Sequence, residues 1–275
     1  MKTVLITGGA SGLGEALALH YAKQGCEVCI ADLNSQRGCK VVDSITKAGG
    51  AAFFLPCDIT NEADIETLKQ QLQSRWQKVD VLVNNAGVAT GGALEFEDIE
   101  QWNWVLNINV LGMVRMCRAF VPLMKQHGGG KIVNVASQAG ITPAPLMGSY
   151  NASKAAVVSF SETMHLELTH DNIHVSVACP GFFSTNLDES LRSKQPGVAK
   201  LVSKMLHTYS DITAAQVAEA IDPDSETFKS LTITHKAGRT ALRLQRWSPA
   251  ISYLAMITNQ LNNFQPQSQY FEKSA

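Results

Sequence analysis

The chain has 275 residues, of which 45% are hydrophobic and 17% are charged, and its formal net charge is -1. This composition is that of an ordinary globular protein, long enough for one large domain with a substantial core. Because there is no overall positive charge, nothing favours a nucleic-acid partner. No run of about 18 consecutive apolar residues predicts a membrane span, and the short N-terminal apolar run does not suit a signal peptide, so we expect a cytoplasmic protein.

Apolar runs of strand length alternate with longer segments of helical periodicity. The predicted strands are 3–7, 27–32, 51–58, 79–87, 131–137 and 173–181. The predicted helices between them are 14–25, 35–48, 61–76, 97–126 and 149–170. Strands that are apolar on both faces and separated by helices predict an α/β fold, a doubly wound and mostly parallel sheet with helices on both faces and right-handed crossovers. Residues 1–222 are interpreted as a single domain.

The character of the sequence changes after Pro223. Residues 223–247 are rich in turn formers and partly basic, and residues 248–264 have a helical pattern. An apolar stripe at helical spacing contains Trp247, Leu254, Ile257, Leu261 and Phe264. This stripe predicts a helix that packs on its own domain or on a sister subunit, and a lid over the substrate or a lipid-contacting surface is the alternative. The nearby Arg239, Arg243 and Arg246 are either solvated or hold an acidic group such as a lipid headgroup.

Six cysteines are scattered along the chain. Cys26 and Cys29 form a C-x-x-C, but residues three apart on a strand point to opposite faces, which does not suit a shared metal or a redox turn. No further cysteine or histidine pair completes a zinc site, so we predict no metal. Free thiols in a reducing compartment are the favoured interpretation.

A glycine-rich segment, TGGASGLG, lies between the first strand and the first helix. Glycines permit tight turns and let main-chain N–H groups approach a pyrophosphate at a helix N-terminus, where the helix dipole favours anions. On a strand–turn–helix this segment predicts a dinucleotide-binding loop. The residues predicted to contact the cofactor in this loop are Gly8, Ser11, Gly12, Leu13 and Gly14.

The second predicted strand ends at Asp32. A carboxylate there can accept hydrogen bonds from the adenosine ribose hydroxyls and would repel a 2′-phosphate. Neither the loop nor Leu33, the next residue, supplies a cation for such a phosphate, so NAD is preferred and NADP is less favoured. The alternative is that Asp32 is only a capping or turn residue.

Further motifs follow in a fixed order, and with the glycine loop they resemble the short-chain dehydrogenase/reductase family over about residues 1–222. These motifs are Asp58 in CDIT, NNAG at 84–87, Asn109 in NVLG, Ser137 in NVAS, Tyr150-x-x-x-Lys154, and P-G-x-x-x-T at 180–185. The resemblance implies that residues 1–222 form a dinucleotide-binding and catalytic Rossmann-type domain. Residues 223–275 then form an extension that packs on the domain, on a partner subunit or at the substrate pocket.

The resemblance also implies further cofactor contacts. Asp58 would bind the adenine edge, with Ile59 supplying an adjacent main-chain N–H and an apolar contact. Asn85 and Ala86 would line the adenosine side. Thr185 would hydrogen-bond the nicotinamide carboxamide, and the main chain near Phe183 would fix which ring face is presented.

Tyr150 and Lys154 are four residues apart and therefore share a helix face. Hydride transfer at a carbinol carbon needs a proton moved at the oxygen, and a nearby cation lowers the pKa of a tyrosine so that it can act as a base. Tyr150 is therefore predicted to be the general acid–base, and Lys154 to assist it and bind the cofactor ribose. By analogy with the family, Ser137 orients the substrate oxygen and Asn109 holds a water that links the lysine to solvent.

Alternatives exist for several of these residues. A Y-x-x-x-K spacing on its own occurs by chance on many helices. Asn107 could be mistaken for the relay residue, and Asn109 is preferred because its spacing from Trp102 matches the family. His165 and His170 are interpreted as packing or helix-terminal residues and not as catalytic groups.

The substrate side is apolar. Candidate pocket residues are Thr142, Pro143, Leu146, Met147, Phe182, Met205, Leu206 and Tyr209. They suit a hydrophobic substrate, or they merely pack a flexible segment. Many family members end in a strand followed by a Gly-rich C-terminal segment, whereas this chain has LTITHKAGR and the long extension.

The leading hypothesis is an NAD-dependent oxidoreductase that interconverts a secondary alcohol and a ketone on a hydrophobic small molecule. The alternatives are an NADP-dependent reductase of lipid-like carbonyls and a non-catalytic dinucleotide-binding regulator. We predict a homodimer or homotetramer with no nucleic-acid partner and no integral membrane span. Peripheral lipid contact through the extension is kept as a minority hypothesis.

Overall fold

A computed structural model describes residues 1–208, 212–224 and 230–247. Within these residues, seven strands form one parallel sheet in the order β3-β2-β1-β4-β5-β6-β7. The strands are β1 Thr3–Thr7, β2 Glu27–Asp32, β3 Ala51–Pro56, β4 Val81–Asn84, β5 Gly130–Val135, β6 Ile173–Ala178 and β7 Leu231–Thr232. The order reverses direction between β1 and β4, which is where a doubly wound sheet opens a ligand crevice.

Nine α-helices connect or follow the strands in the part of the chain that the structure describes. They are α1 Gly12–Lys23, α2 Ser35–Lys47, α3 Glu62–Arg75, α4 Ile99–Leu106, α5 Met113–Gln126, α6 Gly148–Leu168, α7 Val198–Thr208, α8 Ala214–Ile221 and α9 Lys236–Trp247. Polar side chains cap several of these helices, as the sequence predicts for α3, where the Asn61 side chain accepts from the Ala63 N–H.

Two hydrophobic clusters lie on opposite faces of the sheet. The consecutive β1 residues Leu5 and Ile6 are both fully buried and belong to different clusters. Helices α3, α5 and α6 cover the face that contains Leu5, and helices α1, α2 and α8 cover the other. Because both faces are covered, the strands are apolar throughout, and the predicted doubly wound α/β fold is confirmed.

Strand β7 was not predicted. It has two residues, pairs in parallel with β6, and lies in the segment that the sequence analysis assigned to the extension. A two-residue strand has no periodicity that could reveal it. The sheet therefore includes residues beyond 222, and α9 forms a helix in a stretch that was expected to be rich in turns.

The predicted helix 97–126 is interrupted. Helix α4 and helix α5 are joined by a π-helical turn at Asn107–Gly112, whose buried residues are Asn109 and Gly112. By length and composition alone, Ile99–Gln126 could cross a membrane. Part of this segment is core, because Met116 and Phe120 of α5 pack in the cluster that α3 and α6 also enter.

Several predicted strands are longer than the observed ones at their carboxyl ends. Strand β3 ends at Pro56 and β6 ends at Ala178, although the predicted strands continue for two or three further residues. The extra residues leave the sheet at its carboxyl edge, where Cys57, Asp58 and Pro180 line a cavity. Periodicity cannot separate a strand from the apolar loop that follows it.

All six cysteines are free thiols. Cys26 and Cys29 belong to the two clusters on opposite faces of the sheet, as expected from their spacing. The apolar stripe beyond Trp247, like Tyr209, lies outside the described residues, and the side chains of Met205, Arg246 and Trp247 are also not described.

Candidate active site

A cavity of about 720 Å³ opens at the carboxyl edge of the sheet. Nearly all of the sequence-predicted site residues line it. They are Gly8, Ser11, Gly12, Leu13, Asp32, Asp58, Ile59, Asn85, Ala86, Ser137, Tyr150, Lys154, Phe183 and Thr185. Gly14 and Asn109 do not reach the cavity surface and act from behind it. The fold thus brings residues from six strand ends to one site.

The glycine loop has no room for a side chain at Gly8 or at Gly14. Gly8 has φ of 64°, and a Cβ there would lie 2.8 Å from the Ala86 Cα. A Cβ on Gly14 would lie 2.0 Å from the carbonyl oxygen of Gly8. The Asn85 side chain donates to the carbonyls of Thr7 and Gly8 and holds the loop in this conformation.

The N-terminus of α1 faces the cavity. Ser11 is its N-cap residue but makes no capping hydrogen bond with its side chain, so the first-turn N–H groups are not capped by it. Such groups, together with the helix dipole, bind phosphate oxygens. The residues present therefore fit the pyrophosphate of a dinucleotide.

Adding one methyl group at Gly14 is expected to reduce both fold stability and dinucleotide binding. Gly14→Ala should displace the loop, destabilise the fold by about 1–3 kcal/mol, and weaken dinucleotide binding at least as much. Gly25→Ala is the control, because a Cβ there meets nothing within 4 Å although its φ is 78°. It should cost stability without changing dinucleotide affinity. Calorimetric titration with NADH and thermal unfolding separate the two effects, and unchanged binding by Gly14→Ala would contradict this assignment.

Asp32 ends β2 at the cavity wall. Its Oδ2 accepts from the Ala10 N–H at 3.1 Å and its Oδ1 accepts from the Asn34 N–H at 2.9 Å. The carboxylate thus stabilises both the glycine loop and the turn into α2. This is the turn role that the sequence offered as the alternative for Asp32. Each carboxylate oxygen can accept a further hydrogen bond, which leaves capacity for a ribose hydroxyl.

Arg37 also lines this end of the cavity, and the sequence analysis overlooked it. Its Nη1 donates to Oε2 of Glu189 at 2.7 Å, so the cation is paired across the cavity mouth. It lies five residues after Asp32, beyond the single following position that was considered. An arginine five residues after Asp32 is visible in the sequence, but only the fold shows that the first turn of α2 faces the site.

Asp58 and Ile59 follow β3 on the adjoining wall. Oδ1 of Asp58 accepts from the N–H and the hydroxyl of Thr60, at 2.8 and 2.7 Å. Ile59 packs on the π-helical turn, since a Cβ on Gly112 would lie 2.6 Å from its Cδ1. Both residues line the cavity, as predicted.

Ser137, Tyr150 and Lys154 come together. The turn after Ser137 packs directly on α6, because a Cβ on Gly140 would lie 2.6 Å from the Lys154 carbonyl oxygen. The Ser137 side chain lies beside Tyr150 and favours the ionised form of its hydroxyl. Nζ of Lys154 lies 5.8 Å from the Tyr150 ring centroid and donates to the Val135 carbonyl at 3.1 Å.

Burial controls the protonation of this group. It raises the pKa of Tyr150 to about 12, although the neighbouring Ser137 side chain acts in the opposite direction. It lowers the pKa of Lys154 to about 8, against a smaller opposing effect of the buried Cys179. Lys154 is not among the groups that shift the pKa of Tyr150 here, so the expected stabilisation of the phenolate by the lysine stays a prediction.

Asn109 lies behind the site in the π-helical turn. Its side chain accepts from the Val88 N–H at 2.8 Å and donates to the Val88 carbonyl and the Ser153 hydroxyl, both at 3.0 Å. Gly87 separates it from Lys154, since a Cβ on this glycine would lie 3.1 Å from the Asn109 Oδ1 and 3.4 Å from the lysine Nζ. Asn107 instead lines the cavity and accepts from Arg115. The water relay through Asn109 stays a prediction.

A buried carboxylate at the start of α6 was missed. Glu97 is 5% exposed, and its carboxylate accepts from the N–H and the hydroxyl of Ser149 at 2.9 and 2.8 Å. This fixes the residue next to Tyr150. The available signal was the acidic pair Glu97–Asp98, of which only Asp98 is needed to cap α4.

Phe183 and Thr185 follow β6 and face the glycine loop. A Cβ on Gly12 would lie 3.6 Å from the Thr185 Cβ, so the two walls of the cavity meet there. The Thr185 hydroxyl accepts from the Leu187 N–H and starts a short 3₁₀ turn.

The cavity around Tyr150 is apolar. Met147, Tyr150, Val202 and Leu206 belong to one buried cluster, to which Phe182 adds a partly buried ring. The cavity is lined by four of the eight residues expected there, namely Thr142, Met147, Phe182 and Leu206. Pro143 and Leu146 do not line it.

A parallel sheet with a glycine loop at a helix N-terminus, and a buried Tyr150–Lys154 pair beside Ser137, are features of a nucleotide-dependent oxidoreductase. The comparisons with known proteins agree, because residues 2–196 match the family model described as short chain dehydrogenase. The chain belongs to the short-chain dehydrogenase/reductase family and is an oxidoreductase that acts on CH–OH or keto groups.

Three relatives illustrate the range of the family. The chain is 36% identical over 190 residues to a 3beta-hydroxysteroid dehydrogenase of Mediterraneibacter gnavus, covering 68% of each chain. A short chain dehydrogenase/reductase from Burkholderia phymatum, solved in complex with NAD, has a TM-score of 0.81 and 31% identity, with 89% of this chain and 92% of that chain covered. L-Sorbose reductase from Gluconobacter frateurii, complexed with NADPH and L-sorbose, has a TM-score of 0.65 and 30% identity, with coverages of 67% and 70%.

Proposed function

We propose that this protein interconverts a hydrophobic secondary alcohol and its ketone with NAD as the preferred cofactor. The observation that carries the proposal is the buried Tyr150–Lys154 pair with the Ser137 side chain beside the tyrosine, in a cavity whose wall around the tyrosine is apolar. The fold and family place the chemistry at a CH–OH carbon. The lining supports an apolar substrate because few polar groups are present to bind a hydrated one.

The protein's own residues move the proton and orient the substrate. Ser137 hydrogen-bonds the substrate oxygen and holds it at the Tyr150 hydroxyl, which gives a proton to the ketone oxygen or takes one from the alcohol. Lys154 supplies a positive charge that stabilises the phenolate and donors for the ribose hydroxyls. When bound, the nicotinamide supplies or accepts the hydride.

A screen of secondary alcohols and ketones followed by NADH absorbance tests the substrate class. Long-chain secondary alcohols and steroid-like alcohols should be oxidised, and sugar alcohols of similar size should not. Turnover of sugar alcohols alone would contradict an apolar substrate and would place the protein nearer to the sorbose reductase relative. Liposome co-sedimentation with and without residues 243–275 tests peripheral lipid contact through the extension, and equal pelleting of the two forms would contradict such contact.

Asp32→Ala tests the preference for NAD. The carboxylate should accept hydrogen bonds from the ribose hydroxyls and repel a 2′-phosphate, so its loss should lower kcat/KM for NAD about tenfold and raise the relative use of NADP. Arg37→Gln is the matched companion, because it removes the one cation near this end that the described lining contains.

The quantity to measure is the ratio of kcat/KM with NAD to kcat/KM with NADP. Equal use of NAD and NADP by the native protein would contradict the preference. If Arg37 binds a 2′-phosphate after leaving Glu189, Arg37→Gln would lose NADP use and keep NAD use, which would favour the NADP-dependent alternative.

The proposal also covers the cellular compartment, the packing of the extension and the oligomeric state. Six free thiols support a reducing compartment such as the cytoplasm. The extension contributes β7 and α9 to the domain, and Arg239 donates to the carbonyls of Ile233 and Thr234. The pairing of β7 with β6 favours packing of the extension on its own domain, and the local contacts of Arg239 disfavour a headgroup site at this residue. A homodimer or homotetramer is retained as part of the proposal.

A further inference from the structure

One histidine of the extension reaches the segment that follows β6. His235 lies between β7 and α9 and is 7% exposed. Its imidazole lies against the main chain of Gly181, since a Cβ on that glycine would be 2.8 Å from the histidine Cγ. Only glycine at position 181 allows this approach, because any side chain would occupy the space of the ring.

Both ring nitrogens bind main-chain groups of consecutive residues. Nδ1 accepts from the Gly181 N–H at 2.8 Å, and Nε2 lies 2.9 Å from the Phe182 carbonyl oxygen. An N–H can only donate and a carbonyl can only accept. The contacts therefore require a neutral imidazole with its proton on Nε2. The Thr234 hydroxyl, 2.8 Å from Nδ1, adds a local contact.

The clamped segment leads directly into the cavity. Pro180, Gly181, Phe182 and Phe183 all line it, and Thr185 follows. On the other side, the Pro180 carbonyl accepts from the Gln138 N–H at 2.8 Å, and Gln138 is the residue after Ser137. The segment is thus held between the Ser137 turn and the imidazole.

We propose that His235 is a positioning residue for the nicotinamide end of the cofactor. By fixing the Gly181 and Phe182 main chain, it sets the position of Phe183 and Thr185, which the family resemblance implies lie against the nicotinamide. The inference rests on the proposed function for the identity of the ligand. It assigns a defined task in the site to the extension, through a residue that no motif predicts.

The test compares two ligands that differ at the nicotinamide. His235→Ala should weaken NADH binding about tenfold and leave the affinity for ADP-ribose, which lacks the nicotinamide, within about twofold. His235→Gln keeps one acceptor and one donor and should restore NADH affinity to within about threefold of wild type. His174→Ala, at an exposed position on β6, is the matched control and should change neither affinity.

Hydrogen exchange provides a readout without ligand or turnover. The Gly181 amide should exchange at least tenfold faster in His235→Ala than in wild type, and its protection should return in His235→Gln. If His235→Ala does not fold, His235→Leu, which keeps side-chain volume but removes both ring contacts, replaces it in the binding and exchange measurements. Equal losses for NADH and ADP-ribose, unchanged NADH affinity, or unchanged exchange would each overturn the proposal. Failure of wild type to bind either ligand would instead overturn the proposed function.

Discussion

Replacing Tyr150 with phenylalanine is expected to lower kcat in both directions by about 10²–10⁴-fold, the contribution of a positioned acid–base group. The ring should still fill its place in the apolar cluster, so NADH affinity should stay within about twofold. Steady-state rates and calorimetric NADH titration measure the two effects. Tyr21→Phe is the matched control, because this tyrosine is buried in α1 and its hydroxyl has no hydrogen-bond partner among the described residues.

The pH dependence follows from the same residue. Burial raises the pKa of Tyr150 to about 12, so the phenol carries its proton at neutral pH and is ready to protonate a ketone. Alcohol oxidation needs the phenolate, so its rate should rise with pH throughout the neutral and mildly alkaline range. A Tyr150→Phe variant with wild-type rates, or an oxidation rate that falls as pH rises from neutral, would contradict the assignment.

Replacing Lys154 with methionine is expected to separate activity from stability. The loss of the buried charge next to Tyr150 should lower kcat at least about 10²-fold, and the loss of the ribose contact should raise the KM for the cofactor. In contrast, the free energy of unfolding should increase at neutral pH. Active-site groups are often retained at a cost to the fold.

The sign follows from the lysine pKa. Burial lowers it from 10.5 to about 8, so below pH 8 the native state holds a charge that the unfolded chain carries more easily. The shift corresponds to roughly 3 kcal/mol of destabilisation, present in full below pH 8 and lost as pH rises from 8 towards 10.5. Lys154→Met removes this cost but leaves the Val135 carbonyl without its donor, which offsets about 1–3 kcal/mol.

Thermal unfolding of the protein without cofactor at a series of pH values measures the net effect. The variant should be more stable at pH 7 by roughly 1 kcal/mol, and the difference should decrease, and can reverse sign, above pH 8. Lys125→Met, on the exposed surface of α5, is the control and should change stability by less than about 0.5 kcal/mol at either pH. A variant that is less stable than wild type at pH 7, with a difference independent of pH, would show that the lysine is not destabilised by burial.

Much of the fold could be predicted because its signals are local. Six of the seven described strands and the two-sided cover of the sheet follow from apolar runs of strand length and the helical periods between them. Strand β7 could not be predicted, since two residues carry no period. The π-helical turn at Asn107–Gly112 also could not, because an interruption of this kind leaves the apolar pattern of 97–126 intact.

The predicted site residues illustrate the same division. Gly8, Gly12 and Asp32 are recognisable because a tight turn and a strand end restrict which residue types can stand there, and they do line the cavity. The protonation of Tyr150 was not predictable from its distance to Lys154 along the helix. It depends on how completely the fold removes water from the phenol, which is a property of the whole surrounding structure.

The sequence by itself determined the class of fold, the glycine loop and the tyrosine–lysine pair, because each depends on spacings within a single strand, turn or helix. Only the tertiary structure decided the contacts that support them: Glu97 with Ser149 across 52 residues, Arg37 with Glu189 across 152, and His235 with Gly181 across 54. A hydrogen bond selects its partner by distance in space. Which distant residues come within about 3 Å is fixed by strand order and helix packing, and neither is recorded in the local pattern of the chain.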